Sequence, residues 1–354
     1  MKRVEDQHQP VTRRDFVCGT AAAAGAGLLL LGNPASGQTP AAKGLPGTAL
    51  VFRTPVIASP WGRIVEYPTP LNDFCLFRDR QDTWHCIGII GPTWEAEQSF
   101  FHSTGASLSG PFTKQPMLLT AMPAWAGSRR SDNNRPQKHA PFVVFHQGLY
   151  HLFYRRPPGT ILVARSRDPF HWPDEVELVF EAGDARDVCI VPIGGRFHMY
   201  YCQSAAVEGH AQRLSCILLR TSADLMNWSE AAIVHYDNRP ANHSKLESPF
   251  VLPRPEGYYL FARDRYVTDR CLTRVYFSKD ARQFPSGERA WFGELEDVHA
   301  PEIVQVGNQD YIARVSGPGH ANPNSPAQGG WIEVARLDFA VPVSFLDQQK
   351  KDGS

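Results

Sequence analysis

His139-Ala140-Pro141-Phe142-Val143-Val144-Phe145-His146-Gln147-Gly148-Leu149-Tyr150-His151-Leu152-Phe153-Tyr154 is the stretch on which the fold turns. Phe142 to Phe145 and Leu149 to Tyr154 are two short runs of β-branched, leucine and aromatic residues suited to a pleated surface, and Gly148 turns the chain between them. Ile161 to Ser166 then read as a third strand, Arg167-Asp168-Pro169-Phe170-His171-Trp172 as a turn, and Val176 to Phe180 as a fourth strand. Four short strands joined by turns form one supersecondary unit.

The unit recurs at intervals of about 50 to 65 residues, the range in which propeller blades fall. A third copy starts at Asp187 and runs through Cys189 to Pro192, the Gly194-Gly195 turn, Phe197 to Cys202, Leu214 to Ser222, the Asp224-Leu225-Met226-Asn227-Trp228 turn and Ala231 to His235. The fourth runs from Glu247-Ser248-Pro249 to the Asp280-Ala281-Arg282-Gln283-Phe284 turn, and the fifth starts at His299-Ala300-Pro301 and ends near Trp331 to Leu337. The first and most diverged begins at Asn72-Asp73-Phe74 and ends at Ser107-Leu108-Ser109-Gly110-Pro111-Phe112. Five four-stranded units predict an all-β, five-bladed β-propeller, whose radial sheets leave only short protected edges. A pair of sandwiches would share the turn spacing but not the recurring turn with its aspartate and aromatic. Apolar residues 48 to 58 precede the first unit and are expected to close the ring against the last blade, and residues 116 to 137 read as a long loop over the axis.

The chain divides into an export signal with spacer at 1–40, a single propeller at 41–345 and a polar tail at 346–354. Thr12-Arg13-Arg14-Asp15-Phe16-Val17 sets a twin arginine ahead of the apolar Ala21 to Leu31, with small residues Ala35-Ser36-Gly37 as a cleavage region. This resembles a twin-arginine signal, which predicts a periplasmic or secreted protein with no membrane span after cleavage, the apolar stretch being too short to cross a bilayer. The 36 basic and 36 acidic residues cancel, so no global field points to nucleic acid, an anionic membrane or a polyanion, and a neutral substrate fits best. Six cysteines remain after the signal, at Cys75, Cys86, Cys189, Cys202, Cys216 and Cys271, with no C-x-x-C pair. They read as small buried hydrophobes, with Cys75 and Cys86 as the one candidate disulfide.

Aligning the units sets one ionisable residue just before each innermost strand: Asp73, His139, Asp187, Glu247 and His299. Innermost strands line a propeller's axis, and repeated ionisable groups there cost stability unless they face a polar site. Asp168, Asp224 and Asp280 recur instead in outer turns beside an aromatic and read as turn-stabilising. Asp73, Asp187 and Glu247 supply the chemistry that glycoside cleavage needs, one carboxylic acid to protonate the leaving oxygen and a carboxylate to attack or to activate water. Glu247 suits the acid, Asp73 the nucleophile or base, and Asp187 the group that holds substrate hydroxyls and raises the acid's pKa by repulsion. His139 and His299 are candidates for binding hydroxyls, and with the carboxylates they form the donor set of a rival divalent-ion site near the axis. Trp61, Trp84 and Trp94 are candidate stacking surfaces, though tryptophan also fills gaps between blades. No cofactor is required by this chemistry.

The order Asp, Asp, Glu at Asn72-Asp73, Arg186-Asp187 and Glu247-Ser248-Pro249 resembles the five-bladed propeller glycosidases of glycoside hydrolase families 32 and 43 over nearly the whole mature chain. Asn72-Asp73 is similar to the start of the family 32 nucleophile motif and Arg186-Asp187 to its transition-state motif, which implies substrate-binding roles for Asn72 and Arg186. His139-Ala140-Pro141 and the Tyr150 strand look like family 43, which also implies a blade-five histidine near a central ion or water. Phe74-Cys75, Val188 and Ser248 depart from the family 32 pattern, the last replacing the usual glycine or cysteine. The resemblance implies an exported glycosidase on a neutral furanoside, such as a fructofuranoside or arabinofuranoside. A non-catalytic carbohydrate-binding propeller and a metal-dependent lyase or lactonase are the rival functions.

Overall fold

The computed structural model describes residues 51–91, 96–120, 137–241, 245–267, 270–287, 290–317 and 329–344. The expected signal, the C-terminal tail, Trp94 and most of the expected axial loop lie outside them. The described chain contains no α-helix and is built from β-strands.

The first two strands, β1 (Val51–Ile57) and β2 (Gly62–Tyr67), precede the blades. Blade I is β3 (Leu71–Arg78), β4 (Trp84–Ile90), β5 (Phe100–Gly105) and β6 (Thr113–Leu118), so residues 116 to 118 of the expected loop belong to a strand instead. Blade II is β7 (His139–His146), β8 (Leu149–Arg156), β9 (Thr160–Ser166) and β10 (Glu177–Glu181). Blade III is β11 (Arg186–Ile193), β12 (Arg196–Ala205), β13 (Leu214–Ser222) and β14 (Ala232–Pro240). Blade IV is β15 (Glu247–Arg254), β16 (Gly257–Val267), β17 (Arg270–Ser278) and β18 (Gly293–Glu296). Blade V is β19 (Glu302–Val306), β20 (Gln309–Ser316) and β21 (Gly330–Ser344), completed by β1 and β2, which both pair antiparallel with β21. The expected ring closure is present, and β2 extends it by a second strand that apolarity alone did not single out. Blades I to IV are antiparallel meanders, and the first strands β3, β7, β11, β15 and β19 contact one another in turn around the axis.

Local chemistry explains the meanders. Gln147 and Gly148 both adopt positive φ, 49° and 82°, as do Gly194 and Gly195, 56° and 77°, the twist that lets a tight hairpin match right-handed strands. The outer turns share one hydrogen-bond pattern. Ser166, Ser222 and Ser278 each accept the amide of the aspartate two residues on, at 3.1, 3.1 and 3.0 Å, while Asp168, Asp224 and Asp280 accept the amide two residues further, at 2.9 Å in all three. These are side-chain-closed turns, which gives the outer aspartates their structural role.

The inner strands begin through a bulge, and here the expected common register needs correction. Strand pairing skips between His139 and Phe142, Arg186 and Cys189, and Glu247 and Phe250, with a similar skip between Leu71 and Phe74. Ala140, Asp187 and Ser248 are the left-handed residues of three of the bulges, with φ of 47°, 59° and 49°, and Ala300, just ahead of β19, shares the conformation at 49°. His139, Arg186, Glu247 and His299 are therefore equivalent, Asp187 lies one position later, and Asp73 two later than Leu71. The five ionisable residues thus come from three successive positions at the start of the inner strands, and a bulge re-aims consecutive side chains that a regular pleat would send to opposite faces.

Blades pack through apolar faces. Cys75 stands opposite Ile87 and Cys86 opposite Leu76, so the two thiols leave opposite faces of blade I. Cys75 packs with Ile87, Val143 and Tyr154 against blade II, and Cys86 with Leu76, Val304 and Ala313 against blade V. The candidate disulfide is excluded, and none of the six described cysteines is bridged. Excess reductant should accordingly leave the melting temperature unchanged; a drop on reduction would show a bridge that this packing forbids.

Candidate active site

Asp73 on β3, Asp187 on β11 and Glu247 on β15 meet at one end of the axis. Ser248 joins the first two: its hydroxyl donates to Asp73 Oδ1 at 3.1 Å and its backbone N–H donates to Asp187 Oδ2 at 3.0 Å. Arg186 Nε donates to Glu247 Oε1 at 3.2 Å and lies 3.8 Å from Asp187 Oδ2. Asp184, held by Ser204 at 2.8 and 2.9 Å, steadies Arg186 at 3.4 Å. The Cys202 thiol donates to Asp187 Oδ2 at 3.3 Å.

Arg263 on β16 is the site residue that sequence reasoning missed. It pairs with Glu247 Oε2 through Nη2 and donates from Nη1 to His299 Nδ1 at 3.1 Å. A guanidinium only donates, so His299 Nδ1 accepts and Nε2 carries the proton. That proton points to Asn72 Oδ1 at 3.0 Å, with Asp73 Oδ1 at 3.6 Å. An unbroken hairpin would set Asp264 opposite Glu247; the bulge sets Arg263 there, replacing repulsion by an ion pair.

Electrostatics follow from burial. Burial drives the Asp73 carboxyl well above its ordinary range, and the charges of Asp187 and Glu247 push it further, against Arg263 and the Ser248 hydroxyl. Burial also raises Glu247, with Arg263 and Arg186 opposing. Two buried carboxyls that repel one another titrate as a pair, the affinity of each for its proton depending on the charge of the other.

The other expected site residues divide. Asn72, Arg186 and His299 join the acids. His139 Nε2 lies 2.8 Å from Glu97 Oε2. Trp84 is a correction: it is 4% exposed, stands opposite Arg78 at the far end of β3 from Asp73, and fills the apolar interface between blades I and V. Trp61 packs against the larger core under the Arg314 guanidinium, 4.1 Å away. The residues do not suit a divalent ion. His299 has a guanidinium on one nitrogen and a carboxamide on the other, His139 is engaged elsewhere, and among the described residues no three His, Cys, Asp or Glu are disposed to hold a metal.

A cavity of about 30 Å³, the space of one or two waters, lies on the axis between Asp73, Asp187 and Ser248, walled by Phe74, Phe142 and Val188. Glu247 is outside that wall and is reached through Ser248 and Arg186. Larger openings of about 690 and 670 Å³ lie away from the acids, at Arg254 and Phe339 and at His235 and Phe284.

No family model matches the chain, and no curated protein matches it by sequence. Solved structures do match. A thermostable family 43 glycoside hydrolase aligns at 14% identity and a TM-score of 0.56, covering 82% of this chain and 97% of that one. A family 43 enzyme from Xanthomonas citri complexed with xylotriose aligns at 15% identity and a TM-score of 0.58, covering 80% and 93%. A family 32 β-fructofuranosidase of Bombyx mori, complexed with sucrose, aligns at 14% identity and 0.55, covering 77% and 61%. With its five radial blades and axial acids, the chain has the five-bladed propeller fold of the glycoside hydrolases of families 43 and 32.

Proposed function

We propose that this protein is an exported glycoside hydrolase acting on a neutral glycoside, a fructofuranoside or arabinofuranoside. The observation that carries the reading is the meeting of Asp73, Asp187 and Glu247 from three blades, two of them tied through Ser248. Hydrolysis of a glycoside needs one proton delivered to the leaving oxygen and one carboxylate on the opposite side, and Glu247 and Asp73 are the carboxyls cast in those two roles. Glu247 serves as the donor, and burial holds its proton at a pH where an exposed glutamate has lost it. Arg186 and Arg263 oppose the effect of burial on that proton. Asp73 acts as the nucleophile or base, and Asp187, fixed by Ser248 N–H and Cys202, receives substrate hydroxyls.

The zero net charge supports a neutral sugar. Furanosides are supported by the similarity to the sucrose complex above and to an α-L-arabinanase of Cellvibrio cellulosa complexed with arabinohexaose, at 14% identity and a TM-score of 0.56. Export rests on the twin arginine at 13 and 14 and the apolar segment behind it.

A panel of nitrophenyl furanosides and pyranosides, offered to purified mature protein with and without chelator, tests the reading. Chelator-insensitive release of nitrophenol from a furanoside is expected. Sugar binding without release would favour a carbohydrate-binding propeller, and loss of activity with chelator would favour metal-dependent chemistry.

A further inference from the structure

We propose that Ser248 is a positioning residue whose hydroxyl holds negative charge on Asp73 while its backbone amide fixes Asp187. The proposal rests on the hydrolase reading for its consequence in catalysis, but its structural content stands apart. Ser248 sits in the left-handed bulge position of blade IV, φ 49°, a conformation that non-glycine residues adopt at some cost and that clusters at functional sites. The bulge turns its N–H toward blade III and its hydroxyl toward blade I, so one residue reaches two carboxylates carried on different blades.

The repeat supplies an internal control. Ala140 and Ala300 occupy the equivalent position in blades II and V with φ of 47° and 49°. Alanine therefore satisfies this bulge, and the hydroxyl at 248 answers to something other than the backbone. Its partner identifies what. Among the groups that face Asp73, Asp187 on β11 and Glu247 on β15 repel its charge, and Arg263 on β16 attracts it from beyond Glu247. His299 is neutral with its proton directed at Asn72, and blade II presents Ala140, Pro141 and Phe142 to the axial cavity. The Ser248 hydroxyl is thus the donor placed directly on Asp73 Oδ1. A carboxylate that must stay charged between two others gains from a directional hydrogen bond, which favours the ionised form.

The experiment is Ser248→Ala, with Ser248→Gly beside it, read by carbon-13 NMR of protein labelled at the aspartate carboxyls. The Asp73 resonance is assigned by its loss in Asp73→Asn. Both variants keep the amide bond to Asp187 and, by the example of Ala140 and Ala300, the fold, which thermal melting checks. The Asp73 midpoint is expected to rise by about one pH unit, and kcat is expected to fall about tenfold at the wild-type optimum, with KM little changed. An Asp73 midpoint that stays in place in both folded variants overturns the proposal. If the midpoint moves but the wild-type protein hydrolyses no glycoside, the hold of Ser248 on Asp73 stands and the hydrolase reading falls. If the protein hydrolyses furanosides and the midpoint does not move, the reverse holds.

Discussion

Asp73→Asn is expected to lose about 10³-fold or more in kcat on activated and unactivated glycosides alike, because nucleophile or base acts whatever the leaving group. Glu247→Gln is expected to behave differently. An alkyl or sugar leaving group needs a proton in the transition state, so its cleavage should fall about 10²- to 10⁴-fold, whereas a nitrophenolate leaves unaided and should be nearly spared. The two variants together separate roles that burial and proximity alone leave entangled, since burial raises both carboxyls. Initial rates on a nitrophenyl furanoside and on the matching oligosaccharide provide the check. Near wild-type hydrolysis of the activated substrate by Asp73→Asn removes Asp73 from the mechanism, and equal losses on both substrates for Glu247→Gln remove the proton-donor role.

The second large effect is on stability in acid. Burial depresses His102 to about 3, and His151 and His235 each to about 4. An unfolded histidine takes up its proton near pH 6.5. The folded pKa lies below the unfolded one in each case, so the unfolded state binds protons first as pH falls. Stability is complete above about pH 6.5 and is lost progressively down to about pH 4, by roughly 1.4 kcal/mol per pH unit for each imidazole. At pH 4.5 three such groups approach about 8 kcal/mol, comparable with the whole margin of an ordinary domain. The melting temperature should therefore drop steeply between pH 7 and 4.5. His151→Phe should flatten that slope by one proton; an unchanged slope would mean that His151 is already solvated.

His102 belongs to a buried chain in blade I. Its Nε2 donates to His85 Nδ1 at 2.9 Å, and His85 Nε2 donates to Asp79 Oδ2 at 3.0 Å. Asp79 also accepts the amides of Gln81 and Thr83 at 2.8 Å. These roles follow from the carboxylate, which only accepts and so orders both tautomers. The Phe170 ring packs edge-on against His85 from blade II, so the chain also anchors one blade to the next. Sequence reasoning passed over both histidines, because a histidine inside an apolar strand carries no mark of the partner beneath it.

Five repeats of strand, turn and strand were written in the sequence, as were the ring closure and the serine–aspartate turns, because alternation and turn chemistry are local properties. The same repeats pointed to Asp73, Asp187 and Glu247, since ionisable groups before an innermost strand have few places to go but the axis. What the tertiary structure decided is finer. Bulges moved Asp73 and Asp187 off the register of Glu247 and set Arg263 rather than Asp264 beside it, and a bulge is a matter of one extra residue that periodicity does not count. The pleat sent Cys75 and Cys86 to opposite faces, and interface packing claimed Trp84 for the core. Ser248 gained its two carboxylate partners only when blades I, III and IV closed around one axis, for contacts across 61 and 175 residues of chain are fixed by the ring as a whole and by no local stretch of it.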